Sequence, residues 1–171
     1  MTPEQAKAHA EIKCEQIPQE WAITRKVLEA VAETHLDYRP DPKARGALDL
    51  CWHIVASELW FMESLLAGEF GMEEPARPPE IRTPRDAIAW YEQRAPDLLR
   101  KIQAVPGERW VTPVSFFGLY NFPLGLYLEF LVVHSVHHRG QLSTYLRPMG
   151  ARVPAIYGGS ADEPFEIPDH S

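Results

Sequence analysis

Three histidines lie within five residues of the segment Leu131–Tyr145 (LVVHSVHHRGQLSTY), namely His134, His137 and His138. The segment has the apolar composition of a long buried helix, in which residues four apart share a face with β-carbons about 6 Å apart. His134 and His138 can therefore direct two imidazoles at one point, whereas His137 lies about 100° round the helix from His138. A catalytic zinc-type site usually takes three protein ligands and one exchangeable molecule, so the pair predicts a metal ion and requires a third ligand.

The third ligand is predicted to be His53. It lies in the segment 44–67, which is apolar around most of its circumference and is therefore predicted to be a central helix. It is the one histidine outside the last helix that falls in a predicted core helix, and facing helices of a bundle are where side-chain metal sites are built. We therefore predict that His53, His134 and His138 bind one divalent ion as neutral imidazoles.

Four polar side chains near this triad are candidates for supporting roles. Gln141 and Ser57 each lie one turn from a histidine of the triad, and we expect them to hold the ring N–H groups that face away from the metal. Tyr127 and Tyr145 lie above and below the histidine pair on the same helix face. Their hydroxyl groups could donate to a metal-bound group and so assist catalysis, or the two side chains could have only a packing role. The sequence does not identify the catalytic residues.

The elements that must position these side chains are helical. Thr2, Pro3 and Gln5 are typical of a helix start, and Pro18 predicts either a kink or a restart of the first helix. The hydrophobic periodicity predicts four long helices, at about residues 3–36, 44–67, 84–105 (kinked at Pro96) and 123–147. The sequence thus predicts an all-α protein with a single domain (1–171). An antiparallel four-helix bundle is expected over about 3–149, followed by a coil tail (150–171). The aromatic-rich loop 106–122 before the last helix is expected to pack as a lid or short hairpin.

Composition narrows the class of function. The chain has 171 residues, 45% of them hydrophobic, and a net charge of −7, which argues against binding to nucleic acid or to an anionic membrane surface. Cys14 and Cys51 form no CxxC pair, and the polar N-terminal segment and the lack of a long apolar run favour a cytoplasmic location. The signatures of serine hydrolases, zincin peptidases, P-loop proteins, dinucleotide-binding folds and di-iron bundles are also missing from the sequence.

Three segments resemble the DinB/YfiT-like family of four-helix-bundle metalloproteins. They are HSVHHRGQLSTYLRPMG at His134–Gly150, the YRP connection at Tyr38–Pro40, and VPAIYG at Val153–Gly158. The HxxxHRGQ element within the first segment is the most specific of these motifs, and the order of the elements matches over nearly the whole chain.

The resemblance implies a divalent metal, zinc or nickel, held by one histidine of the second helix and two of the last. Residue by residue, these are His53, His134 and His138. Relatives in that family include low-molecular-weight thiol S-transferases and a maleylpyruvate isomerase, and members commonly form homodimers. The expected partners are therefore a small-molecule substrate, a low-molecular-weight thiol and a second copy of the chain.

Three functions remain open at this stage. The leading hypothesis is a metal-dependent enzyme, a thiol S-transferase or a hydrolase, because Glu58 and Glu129 lie off the ligand faces and leave a coordination position open. The second is a non-catalytic stress-response module, whose structural metal site would normally have four protein ligands. The third is a metal-free bundle in which the histidines are hydrogen-bonded core residues.

Overall fold

The first helix begins as its sequence predicts. In the computed structural model, which describes residues 1–72 and 75–165, the Thr2 hydroxyl accepts a hydrogen bond from the Gln5 N–H, and the Gln5 side chain accepts one from the Thr2 N–H. Pro3 occupies the first turn, where its missing N–H costs nothing. Helix α1 then runs without interruption through Pro18 and ends at Glu29, seven residues earlier than predicted.

The described part of the chain is mostly helical. Its α-helices are α1 (Pro3–Glu29), α2 (Ala47–Ala67), α3 (Pro84–Glu92), α4 (Ala95–Gln103), α5 (Gly107–Trp110) and α6 (Tyr127–Leu146). Short 3-10 helices cover Glu33–His35 and Leu124–Leu126. No helix of the described residues is long and apolar enough to cross a membrane.

The third predicted helix is divided in two. The sequence predicted one helix over 84–105 with a kink at Pro96, but the chain turns at Gln93 and Arg94 between α3 and α4. A proline disfavours the helical conformation of the residue before it and cannot donate to the turn that precedes it. Pro96 is accommodated here in the first turn of α4, where no donor is needed.

A small antiparallel sheet corrects the all-α prediction. Strands β1 (Pro113–Phe116) and β2 (Tyr120–Pro123) pair with Pro113 opposite Pro123 and Phe116 opposite Tyr120. The hairpin lies within the aromatic segment for which a lid or hairpin was expected. It also takes up Pro123, so the last helix, α6, begins at Tyr127 rather than near residue 123.

Helix α2 is central, as its apolar circumference predicts. Sixteen of its 21 residues are buried, and it packs against α6, α3 and α4. Helix α1 packs against α6, α5, α3 and α4. Residues 151–165 contain no helix or strand, and residues 166–171 of the predicted tail lie outside the described residues.

Candidate metal centre

Helices α2 and α6 bring the three predicted histidines together. One ring nitrogen from each of His53, His134 and His138 lies within 4.8 Å of the others, and the Nε2 atoms of His53 and His138 are 3.1 Å apart. Two nitrogens that bind one tetrahedral ion at about 2.0–2.1 Å are separated by about 3.3 Å. The spacing of these donors therefore fits a single divalent ion.

A chain of hydrogen bonds orients the ring of His138. Its Nδ1 lies 2.9 Å from the Gln141 Oε1, while the amide nitrogen of Gln141 donates to the Tyr145 hydroxyl at 3.4 Å. Because Gln141 presents an acceptor to the ring, the His138 Nδ1 must carry the hydrogen. The lone pair of Nε2 is then directed at the cluster, which is the tautomer that a metal ligand requires.

His53 has a similar polar neighbour on its own helix. The Ser57 hydroxyl lies 3.3 Å from the His53 Nδ1, so this nitrogen can donate to it when Nε2 faces the cluster. Burial lowers the pKa of His138, and the nearby His53 lowers it further, against the opposing effect of the Gln141 hydrogen bond. Neutral imidazole is the form that binds a metal ion, so this environment favours binding at neutral pH.

The two predicted tyrosines have different surroundings. Tyr145 is buried and joins the hydrogen-bond chain of His138 through Gln141. Tyr127 is also buried, but its hydroxyl donates to the Val114 carbonyl at 2.7 Å and accepts from the Phe122 N–H at 3.2 Å. The structure thus places Tyr145 near the triad and uses the Tyr127 hydroxyl to fasten the hairpin.

A cavity of about 240 Å³ opens beside the cluster. His53, His134 and Ser57 form its polar side. Aromatic and other apolar side chains, together with one glycine, form the rest: Trp60, Phe61, Gly71, Met72, Pro75, Phe116 and Phe117. A small molecule in this cavity would lie against both the histidines and a mainly aromatic wall. The sequence did not reveal that the hairpin contributes to this wall, because the contact joins residues far apart in the chain.

The burial of the Glu58 carboxyl group was not predicted from the sequence. Glu58, on α2, is almost fully buried and accepts hydrogen bonds from the hydroxyls of Tyr91 and Ser135, the latter at 2.6 Å. Burial raises its pKa, although both hydrogen bonds and the charge of Arg139 act in the opposite direction. A glutamate in the middle of an apolar helix is the sequence signal that could have predicted such a network.

We expect the Glu58→Gln variant to gain stability relative to the wild type as the pH rises. A carboxyl whose pKa is raised on folding stabilises the folded state below its ordinary value of 4.5 and loses that contribution as the pH rises through the folded pKa. Glutamine has no such titration and can still accept from Tyr91 and donate to Ser135. The unfolding free energies of the two metal-free proteins should diverge above pH 4.5 by at most about 1.4 kcal/mol per pH unit.

The measurement is urea unfolding of both proteins between pH 4 and pH 8. Glu63→Gln, at an exposed position of the same helix, is the control for removing one negative charge. A constant difference between wild type and Glu58→Gln across this range would contradict the raised pKa.

Arg139, the residue after His138, faces away from the cluster and is fully buried. Its guanidinium donates to the Glu20 carboxylate at 2.9 Å, to the Glu20 carbonyl at 3.0 Å and to the Thr24 hydroxyl at 3.2 Å. Its other terminal nitrogen donates to the hydroxyl of Tyr157, which in turn donates to Glu20 at 2.6 Å. Arg139 thus forms a salt bridge from α6 to Glu20 of α1.

Comparison with known proteins gives a consistent result. The model of the DinB family matches residues 14–168. Among curated sequences, the uncharacterized protein YjoA of Bacillus subtilis is 25% identical over 129 residues, which are 75% of this chain and 82% of YjoA. The uncharacterized protein YrdA of the same species is 42% identical over 50 residues, a match that covers only 29% of either protein.

Solved structures show the same fold. A DinB-like protein from Bacillus cereus superposes with a TM-score of 0.71 at 24% identity, over 86% of this chain and 97% of that one. The crystal structure of YjoA from B. subtilis gives a TM-score of 0.60 at 18% identity, over 94% and 96% of the two chains. At these identities the likeness describes the fold and says nothing about a reaction.

Proposed function

This chain belongs to the DinB family, and from that premise we propose that it is a metal-dependent enzyme acting on a small molecule. One observation supports this proposal above all others. Three histidine nitrogens converge beside a cavity, and no cysteine, aspartate or glutamate of the described residues joins their group. Three protein ligands beside a space for substrate are typical of catalytic metal sites, whereas structural sites usually have four.

His53, His134 and His138 would hold the ion, which we propose to be zinc or nickel. When bound, such an ion supplies Lewis-acid chemistry and lowers the pKa of a thiol or of water. The protein contributes neutral imidazoles and fixes the ring of His138 through Gln141 and Tyr145. The aromatic walls of the cavity contribute by excluding water from the substrate.

The proposed reaction is transfer of a low-molecular-weight thiol to an electrophilic small molecule, with hydrolysis as the second possibility. In the transfer, the thiol releases its proton to solvent, and its sulfur forms a bond to the electrophilic carbon. The bond from that carbon to the leaving group breaks, and the leaving group departs with the bonding electrons. We further propose that α1, α2, α6 and the α3–α4 pair are the four members of the predicted bundle. In that arrangement the histidines of α2 and α6 face each other across its interior.

Turnover should depend on the metal and on all three histidines. We expect chelator-treated protein to be inactive, and to regain activity on addition of one equivalent of zinc or nickel. His53→Ala should remain inactive after metal addition, because only two ligands are left. The assay combines cysteine and coenzyme A, as model thiols, with 1-chloro-2,4-dinitrobenzene, and includes 4-nitrophenyl acetate for hydrolysis.

His35→Ala removes an exposed histidine outside the cluster and serves as the matched control, with unchanged rates. Full activity of the metal-free protein would contradict the proposal. Stoichiometric metal binding that stabilises the fold, without turnover of any electrophile, would instead favour the structural role.

We also propose that the chain forms a homodimer through an apolar surface on α6 and the hairpin. Val133 is 62% exposed. The surface around it is lined by Phe61, Phe116 and Phe130, together with Glu129, His134 and His137. Exposed apolar patches of this kind commonly mark interfaces. Light scattering of the purified wild type should give twice the mass of one chain, and Val133→Asp should give the monomer mass. A monomeric wild type at micromolar concentration would contradict this proposal.

A further inference from the structure

The cavity beside the histidines has a mainly apolar lining. Apart from the two histidines and Ser57, the described residues that line it are apolar, and none is a lysine, arginine, aspartate or glutamate. A ligand that carries a carboxylate or phosphate would therefore lose its hydration without gaining a charged partner from these residues. The described part of the lining therefore disfavours a ligand with a carboxylate or phosphate group.

The size of the cavity limits the ligand further. An apolar protein cavity of about 150 Å³ holds one benzene molecule, so 240 Å³ accommodates a single ring with a short substituent. A peptide-sized thiol would extend well beyond it. Within the proposed transfer reaction, the cavity therefore suits the small electrophile better than the thiol.

Aromatic side chains form most of the apolar part of the wall. The rings of Trp60 and Phe61 come from α2, and those of Phe116 and Phe117 come from the tip of the hairpin. The Trp60 and Phe117 rings lie 24° from parallel, with their centroids 6.1 Å apart. Stacked and edge-on contacts with such rings favour a flat aromatic ligand over an aliphatic one of the same size.

The backbone at the hairpin tip supports a functional role for one of these rings. Phe117 has a φ of 54°, the only positive φ of a residue other than glycine in the described chain, and Gly118 follows with a φ of 72°. Turns of this type usually place Asn, Asp or Gly at such positions. Here the phenylalanine ring packs against Phe116, at 4.3 Å between centroids, and against Trp60. Unfavourable backbone conformations of this kind are concentrated at binding and active sites.

We infer that this cavity is the binding site for a single-ring aromatic molecule without a carboxylate or phosphate group, with the Phe117 ring closing one side and a metal-binding atom of the ligand on the side of His53 and His134. This inference rests on the proposed function for the identity of the substrate. The cavity itself can be tested without any turnover.

The test compares two hydroxamic acids on zinc-loaded protein by isothermal titration calorimetry. Acetohydroxamic acid and benzohydroxamic acid carry the same chelating group, but only the second carries a ring. We expect benzohydroxamic acid to bind at least about tenfold more tightly, because burial of a ring of this size contributes that much or more. The anionic 4-carboxybenzohydroxamic acid should lose that advantage.

Two hairpin variants provide the matched comparison. Phe117→Gly suits the positive φ, so the fold should be retained, but it removes the ring from the cavity and should abolish most of the tenfold preference. Phe122→Ala removes another ring of the same hairpin. This ring has the same 37% exposure but does not line the cavity, so the preference should be unchanged.

A further measurement uses fluorobenzene, which has no metal-binding atom, and follows its ¹⁹F line width with chelator-treated protein. Fluorobenzene should bind the wild type and Phe122→Ala but not Phe117→Gly.

The outcomes test the aromatic site and the metal site independently. If neither hydroxamic acid binds while fluorobenzene behaves as expected, the metal function fails and the aromatic site stands. If both hydroxamic acids bind equally, or Phe117→Gly and Phe122→Ala behave alike, the aromatic site is overturned and the metal site stands. Tighter binding of the anionic compound than of benzohydroxamic acid would also overturn it.

Discussion

Replacing His138 with alanine is expected to reduce the bound metal from about one equivalent per chain to a small fraction of that. The imidazole of His138 has its Nε2 directed at the cluster, 3.1 Å from the Nε2 of His53, and its tautomer is set by Gln141. Its removal leaves two protein ligands. Loss of a partner that merely orients a ligand typically costs 10–100-fold in metal affinity, and loss of the ligand itself should cost more.

The measurement is elemental analysis of protein purified without a histidine tag, followed by titration of the metal-free forms with zinc and nickel. His137→Ala is the matched control, since His137 is exposed and neighbours His138 without belonging to the cluster. Its metal content should equal that of the wild type. Absence of metal from the wild type, with no uptake of added zinc or nickel, would contradict the site and leave the histidines as core residues.

The positions of the three histidines could be predicted because they depend on rules of short range. The four-residue spacing of His134 and His138 fixes their shared face within one helix, whatever that helix packs against. The apolar circumference around His53 then predicts that its helix is central. Only the pairing of the two helices was a long-range inference, and the hydrophobic stripes limit how they can face each other.

Other features depend on long-range contacts, which short-range sequence patterns do not predict. The periodicity of α3 and α4 was visible, but the chain breaks at Gln93 and Arg94 before reaching Pro96. Tyr127 is buried, and its hydroxyl group is hydrogen-bonded to the hairpin backbone. The hairpin itself was only one of two expectations, because four-residue strands carry too little alternation to be recognised in sequence. Its aromatic rings become part of the site only through packing against α2.

Replacing Arg139 with methionine is expected to lower the free energy of unfolding by about 2–3 kcal/mol, less than the roughly 3–5 kcal/mol of a fully buried pair, because the Glu20 side chain is 15% exposed. Methionine can fill much of the same space, but Glu20 would keep its negative charge with the guanidinium gone. Burial alone would raise the pKa of Glu20, and hydrogen bonds from Tyr157 and Arg139 lower it below its ordinary value. The wild-type pair is therefore ionised at neutral pH, and in the variant the carboxylate loses its cationic partner and keeps the hydrogen bond from Tyr157.

Unfolding of the metal-free proteins in guanidinium chloride at pH 7 measures this loss of stability separately from metal binding. Arg147→Met is the matched control, because Arg147 pairs with Asp162 at the surface, where such pairs contribute little. The double variant Arg139→Met/Glu20→Gln should recover part of the loss, since it removes the stranded charge as well. Equal stabilities of Arg139→Met and Arg147→Met would contradict a structural role for the buried pair. If Arg139→Met loses stability while its zinc affinity is unchanged, then the two adjacent residues of α6 have separate roles. His138 binds the metal, and Arg139 stabilises the packing of α6 against α1.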